Sequence, residues 1–293
     1  MTKNLFRVEL DDVKFQLQEK HDFAWLQKLG RVFDVFDQQD SGNISFGLER
    51  DGEKLFVKYA GAKTLNFSGE TQDAIHNLRE AVYLYRELSH PSLIELINHF
   101  EVKSAGYAAV FKWFEGESLH PHWSFPPPAK YSHPESPYYR YKQLTVAQRL
   151  VSLDSIFSFH AYVEKRGFVA VDFYDGSLLC DFRNNELKIC DIDLYQRKPF
   201  TNTMGRLWGS SRFMSPEEFI LCAEIDERTN VFNMGAMAFA LVGGELDRSF
   251  AKWEAGRELY KVAIRAVNEN RQLRYPNVAD FKAAWDLASS FFN

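Results

Sequence analysis

Three cysteines, Cys180, Cys190 and Cys222, are all that the 293 residues contain, and their irregular spacing excludes both a disulfide framework and a CxxC zinc site. They read as core thiols of a reducing compartment. Long apolar runs are missing too. The most apolar stretch, 231–244, is about half to two-thirds of the ~20 residues that a bilayer requires. Residues 1–30 are dense in Lys, Glu, Asp and Gln, so they lack the apolar centre of a secretory signal. A cytoplasmic protein is the expectation. Neither sign of charge dominates: 35 Lys+Arg against 40 Asp+Glu leave a formal charge of -5. That balance gives no electrostatic reason to expect nucleic-acid or anionic-membrane partners. There is no internal repeat and no low-complexity tail.

What the chain does have is apolar bulk. Hydrophobic residues make up 45% and aromatics 15%, with 26 Phe and 13 Tyr, which is ample for a sizeable core. The length allows about two folded units. Residues 1–29 form an N-terminal extension in which HDFAWLQKLG reads as a short helix. Residues 30–114 follow as a first lobe. RVFDVF, ISFGLE and LFVKYA, separated by DQQDSGN and RDGEK, predict a hairpin and a third strand. From Ser68 to Leu88 the spacing of Ile75, Leu78, Val82 and Tyr85 predicts a helix capped by Ser68 or Thr71 and stopped by His90-Pro91. LIELINHFEV and GYAAVFKWF predict two more strands around a turn at 104–106. Residues 115–293 make the second lobe. It opens with a Pro- and Tyr-rich insertion, 118–144, that cannot be one regular element, and it then becomes mostly helical.

Three segments in fixed order, LFVKYA, VDFYDGSLLCDF and KICDIDLY, resemble the protein kinase family, specifically serine/threonine kinases of the bacterial type. Lys58 takes the place of the strand lysine that neutralises the α- and β-phosphates of ATP. On its own, an edge-strand lysine explains Lys58 as well. Asp172 takes the place of the aspartate that accepts a proton from, or orients, the attacking hydroxyl, and Ser177 stands five residues on where the family has asparagine. Asp191 follows nineteen residues after Asp172, behind the apolar Ile189 and Cys190, in the place of the magnesium-binding aspartate. Asp172, Asp175, Asp191 and Asp193 are expected to converge after two apolar strands, an oxygen-rich cluster suited to Mg²⁺. A fourth segment, GSSRFMSPEEF, is similar to the end of the family's activation segment. The resemblance implies that Glu217 pairs with a buried arginine, for which Arg274 is matched. It covers about Gly30 to Trp285 and implies an α+β, bilobal fold: an antiparallel sheet with one helix, then a mainly helical lobe.

Departures from the family pattern sharpen the expectations. Gly42 in DSGNI is best placed as the last glycine of the phosphate loop, with Asp37 and Gln39 where the first two would be, so this loop should hold ATP less closely. Glu80 is the candidate partner of Lys58 but stands one residue early, about 100° of helix rotation, with Ala81 in the expected place. Glu70 and Glu87 are alternatives. Ala170-Val171 replaces the family's His-Arg, which removes the usual reader of a phosphorylated segment. Ser177 is a weak magnesium ligand, so Asp193 or Asp175 should complete the second site, Asp193 by preference. Asn230 replaces a usual aspartate. Adenine should meet the backbone near Lys112 and Phe114. The resemblance thus implies an ATP- and Mg²⁺-dependent kinase acting on Ser or Thr of a protein. A small-molecule phosphotransferase and a pseudokinase acting as a binding module are the alternatives.

Overall fold

The first strands form where short β-branched and aromatic runs meet tight turns. A computed structural model describes residues 5–103 and 106–290. It divides into two compact units, Met1–Phe114 and Glu115–Asn293.

The first unit carries β1 (Phe6–Leu10), β2 (Val13–Leu17), β3 (Arg31–Phe36), β4 (Asn43–Arg50), β5 (Glu53–Ala60), helix α1 (Thr71–Glu87), β6 (Leu96–Val102) and β7 (Gly106–Lys112). Strands β3 to β7 make one antiparallel sheet in the order β3-β4-β5-β7-β6. The β4–β5 turn uses Asp51 and Gly52, both at positive φ (54° and 80°), the pairing that a two-residue hairpin turn demands. The expected turn at 104–106 falls largely on Ser104 and Ala105, which lie outside the described residues.

Two expectations for this unit need correction. Neither Ser68 nor Thr71 caps α1: Glu70 is the N-cap, with no side-chain cap bond, and the chain enters the helix through backbone geometry alone. Residues 5–29 hold more than a short helix. A hairpin, β1–β2, precedes a single helical turn at Ala24–Lys28. Val13, Phe15, Leu17, Phe23 and Leu26 join Ile44, Phe46, Val57 and Tyr59 in one core, with Phe23 5.4 Å from Phe46, ring centre to ring centre. Gln18 then ties the hairpin to the β5–α1 loop, donating to the Thr64 and Phe67 carbonyls at 2.7 and 2.8 Å.

The second unit contains β8 (Glu117–Ser118), α2 (Ala129–Ser132), α3 (Pro137–Lys142), α4 (Val146–Lys165), β9 (Phe168–Val169), β10 (Leu178–Asp181), β11 (Glu186–Ile189), β12 (Gln196–Arg197), β13 (Phe200–Thr201), β14 (Glu224–Ile225), α5 (Glu227–Val242), α6 (Arg257–Ala266) and α7 (Val278–Ser289). The Pro- and Tyr-rich stretch therefore folds as one short strand and two short helices. Helix α4 starts at a capping box, Thr145 with Gln148. From Thr229 to Val242 every residue of α5 is buried, so the helix is enclosed on all sides and forms the centre of the unit. The chain is thus α+β: an antiparallel N-terminal sheet with helix α1, followed by a mostly helical part.

Candidate active site

Lys58 sits on β5, the central strand of its sheet, opposite Ser45 on β4 and Ala109 on β7. Alternation along the strand puts Val57 and Tyr59 into the core shared with the N-terminal hairpin and turns Lys58 to the other face. There it is 9% exposed, beside a Ser45 hydroxyl that is buried and without a hydrogen-bond partner among the described residues. This is not an edge lysine.

Helix α1 runs without interruption, so the one-residue offset is not absorbed: Ala81 faces inward and is fully buried, whereas Glu80 is exposed. Gly42 lies in the β3–β4 turn at φ +81°. A Cβ there would come within 2.8 Å of both the Ala74 Cβ and the Phe67 ring, so glycine lets this turn seat on α1. At the end of β7, the Lys112 N–H donates to the Glu95 carbonyl (2.9 Å) and the Trp113 N–H to that of Lys54 (3.3 Å). The sheet extends past the expected adenine contact, so the Lys112 amide is already engaged. Phe114 is half-buried at the end of the unit.

In the second unit the chemistry is held by one well-tied loop. Asn230 on α5 grips both sides of its start: its amide donates to the Phe168 carbonyl (3.1 Å), and its oxygen accepts from the Ala170 N–H (2.8 Å). Only an amide can give and take in this way; a carboxylate could only accept. Asn233, one turn on, donates to the Phe173 carbonyl at 2.9 Å. Between these anchors Asp172 is half-buried at φ +62°, a conformation that Asp and Asn tolerate better than other side chains.

The β10–β11 hairpin then brings Asp191 back to this loop. Leu178 pairs with Ile189, and one residue out the Cys190 N–H donates to the Ser177 carbonyl (2.9 Å). Asp191 follows, exposed and at φ +56°. Asp172 and Asp191 are close enough to act on the same phenols. Burial and then the charges of these two aspartates raise the Tyr174 hydroxyl above its ordinary range, and Tyr195 responds to both as well. Beneath the loop His160 is fully buried. Its Nδ1 donates to the Ile156 carbonyl and its Nε2 accepts from the Tyr195 hydroxyl, both at 2.8 Å.

The expected quartet of carboxylates does not form. Asp175 is fully buried, but it accepts from Arg212 at 2.8 and 3.0 Å and pairs with the equally buried Lys130. Burial alone would raise its carboxyl; Arg212 and Lys130 outweigh that and hold it below the ordinary range. Nor, among the described residues, do any three His, Cys, Asp or Glu side chains form a ready metal site. The donors that remain are Asp191, the half-buried Asp193 and Ser177, whose buried hydroxyl has no hydrogen-bond partner among the described residues. That orphaned oxygen, bonded through its backbone to the residue before Asp191, suits a hard divalent cation.

The segment after Gly209 closes over the loop. At φ +140° Gly209 lies so near Asp172 that a Cβ would be 3.6 Å from the Asp172 Cα. Glu217 takes a bidentate pair from Arg274, at 2.7 and 2.9 Å, as the resemblance implies. Next to it Glu218 accepts from the Ser215 N–H (2.6 Å) and hydroxyl (2.9 Å), and burial pushes its carboxyl up to about 7. Because folding raises this pKa above the ordinary value of 4.5, the protonated form is favoured in the fold. Its contribution is full below that value and is lost as pH rises toward about 7. Denaturant midpoints at pH 5 and pH 7.5 should therefore show lower stability at the higher pH, with a smaller difference in Glu218→Gln. An unchanged difference in the variant would remove this assignment.

A family profile described as "Protein kinase domain" matches residues 41–288. The chain is 22% identical over 219 residues to smooth-muscle myosin light chain kinase of Gallus gallus, covering 74% of this chain and 10% of that protein. It is 25% identical over 207 residues to mitogen-activated protein kinase kinase kinase 1 of Rattus norvegicus and of Homo sapiens, covering 68% of this chain and 12% of each. The chain spans about a tenth of the length of these curated relatives.

Proposed function

Since the chain belongs to the protein kinase family, we propose that it is an ATP- and Mg²⁺-dependent phosphotransferase that transfers the γ-phosphate to a serine or threonine hydroxyl of a protein. Asp172 orients the attacking hydroxyl and takes its proton. Lys58 binds nucleotide phosphate through its ammonium, and the turn at Gly42 approaches the phosphates by its backbone. Asp191, with Asp193 and Ser177, would hold Mg²⁺, which when bound neutralises charge on the transferring phosphate. Carbonyl oxygen and amide at the Phe114 end of β7 remain the candidates for adenine, the Lys112 N–H being engaged.

The observation that carries the protein-substrate reading is the seating of Gly209 against Asp172, with the segment behind it fixed by Glu217 and Arg274. A platform built on the base is what an extended polypeptide acceptor needs, and a small metabolite does not need one. The second reading, a binding module with little or no turnover, is favoured by α1 itself, which buries Ala81 and leaves Glu80 exposed.

Labelled ATP with Mg²⁺, offered with a generic basic protein and with a panel of hydroxylated metabolites, separates the readings. Label on protein, lost when Mg²⁺ is chelated, is the expected result. Transfer to metabolites alone would replace the acceptor class, and nucleotide binding without transfer to either would favour the binding module. Asp193→Ala should weaken Mg²⁺-dependent nucleotide binding; unchanged binding would remove Asp193 from the cation site.

A further inference from the structure

Four charged side chains from four separate stretches meet in the second unit. Lys130 comes from α2, Asp175 from the loop after Asp172, Arg212 from the segment after Gly209, and Glu245 from the turn after α5. Lys130 and Asp175 have no exposed side-chain surface at all, and Arg212 and Glu245 keep only 16% and 13%. Arg212 forks onto both Asp175 oxygens (2.8 and 3.0 Å) and also pairs with Glu245. Lys130 pairs with Asp175, lies 3.5 Å from Glu245, and has its ammonium 4.3 Å from the centre of the Tyr138 ring. The Tyr131 hydroxyl donates to the second Glu245 oxygen at 2.8 Å. Two cations meet two carboxylates, so the cluster is neutral, and each charge has a near partner.

The cluster is also anchored from behind. Ser136 donates to the Lys130 carbonyl (2.7 Å), and the Tyr138 hydroxyl to the Ala240 carbonyl on α5 (2.6 Å). The Lys130 end is thus tied to the central helix, which through Asn230 and Asn233 also holds the Asp172 loop. From the other side, the Arg212 Nε donates to the Ser210 hydroxyl (3.1 Å), which fixes the turn right after Gly209. Asp175 is three residues from Asp172 and Arg212 three from Gly209. The ion pair therefore fastens together the two segments whose contact builds the acceptor side of the site. Where an arginine would precede Asp172 to meet a phosphate, Ala170 and Val171 are apolar and buried.

Resting on the phosphotransferase reading above, we infer that Asp175 and Arg212 are positioning residues. With Lys130 as the buried counter-charge, they hold the Gly209–Met214 segment against the Asp172 loop, so the site is ordered without phosphorylation of that segment. Control of this chain then falls outside the activation segment.

The test uses the full chain. Phosphatase-treated wild type should keep its kcat within twofold. Arg212→Ala should lower kcat at least tenfold with the KM for ATP within twofold, and should speed hydrogen exchange in peptides spanning 206–214. Arg212→Lys, which keeps the charge but loses the fork, should recover part of both. Melting curves confirm that each variant is folded, and if Arg212→Ala is not, Arg212→Lys carries the comparison by its intermediate kcat and exchange. A phosphatase-sensitive wild type, or exchange at 206–214 unmoved by both Arg212 variants, overturns the inference. If wild type transfers phosphate to nothing, the functional reading falls, and the exchange result alone decides whether the ion pair holds the segment.

Discussion

Asp172→Asn should slow phosphoryl transfer by about 10²–10⁴-fold, the usual worth of a positioned general base, equivalent to roughly 3–5 kcal/mol of barrier. The substitution is informative because of the backbone beneath it. At φ +62° most side chains would add strain, but Asn accepts the left-handed region nearly as well as Asp. The anchors of the loop are backbone groups of Phe168, Ala170 and Phe173 held by Asn230 and Asn233, none of which involves the Asp172 carboxylate. Charge and proton affinity are therefore removed while the loop is kept. The measurement is the initial rate on a protein acceptor with saturating ATP, together with the KM for ATP, which should stay within about threefold if Lys58 and Asp191 still bind the nucleotide. A variant that keeps a third or more of the wild-type rate would mean that the proton goes elsewhere.

Arg274→Ala should be the most damaging change to the second unit. The Arg274 side chain has no exposed surface, pairs with both Glu217 oxygens, and donates further to the Asn268 carbonyl at 2.7 Å. Removing one member of a buried pair typically costs about 3–5 kcal/mol, because the remaining charge is left desolvated. In a unit of this size that should lower the melting temperature by roughly 10 °C. Arg274→Lys should rescue little, since a point charge cannot form the fork. The pH dependence gives a second check. Burial would raise the Glu217 carboxyl, but Arg274 outweighs it and holds it below the ordinary 4.5, so the stabilisation is present above that value and fades as pH falls through the depressed pKa. The gap between wild type and variant should therefore narrow in acid. A gap that is small at pH 7, or that widens in acid, would show the pair to be of little consequence.

Features that depend on spacing along the chain were legible in the sequence. The Glu217–Arg274 match rests on fixed intervals, and the antiparallel sheet with one inserted helix follows from period-2 and period-3.6 runs. Features set by partners far away were not. Asp175 reads as one more carboxylate beside Asp172 until Lys130, forty-five residues earlier in a proline-rich stretch, closes on it. Glu80 stands on the exposed side of α1 for a geometric reason already visible in the count: one residue is about 100° of rotation along an unbroken helix. The β1–β2 hairpin was missed because a charged composition concealed the alternation of Phe6, Val8 and Leu10 with Val13, Phe15 and Leu17 about Asp11-Asp12, which was the available signal.

That hairpin also bears on where this protein can be cut. The family profile begins at residue 41, yet Phe15, Leu17, Phe23 and Leu26 are inseparable from the packing of Phe46 and Tyr59. A fragment trimmed to the profile's edges would start life with one side of its sheet stripped of cover, its aromatic rings facing water and its neighbours in the tube. The working limits of a fold and the limits shared by a family are different boundaries, and here they lie some thirty residues apart.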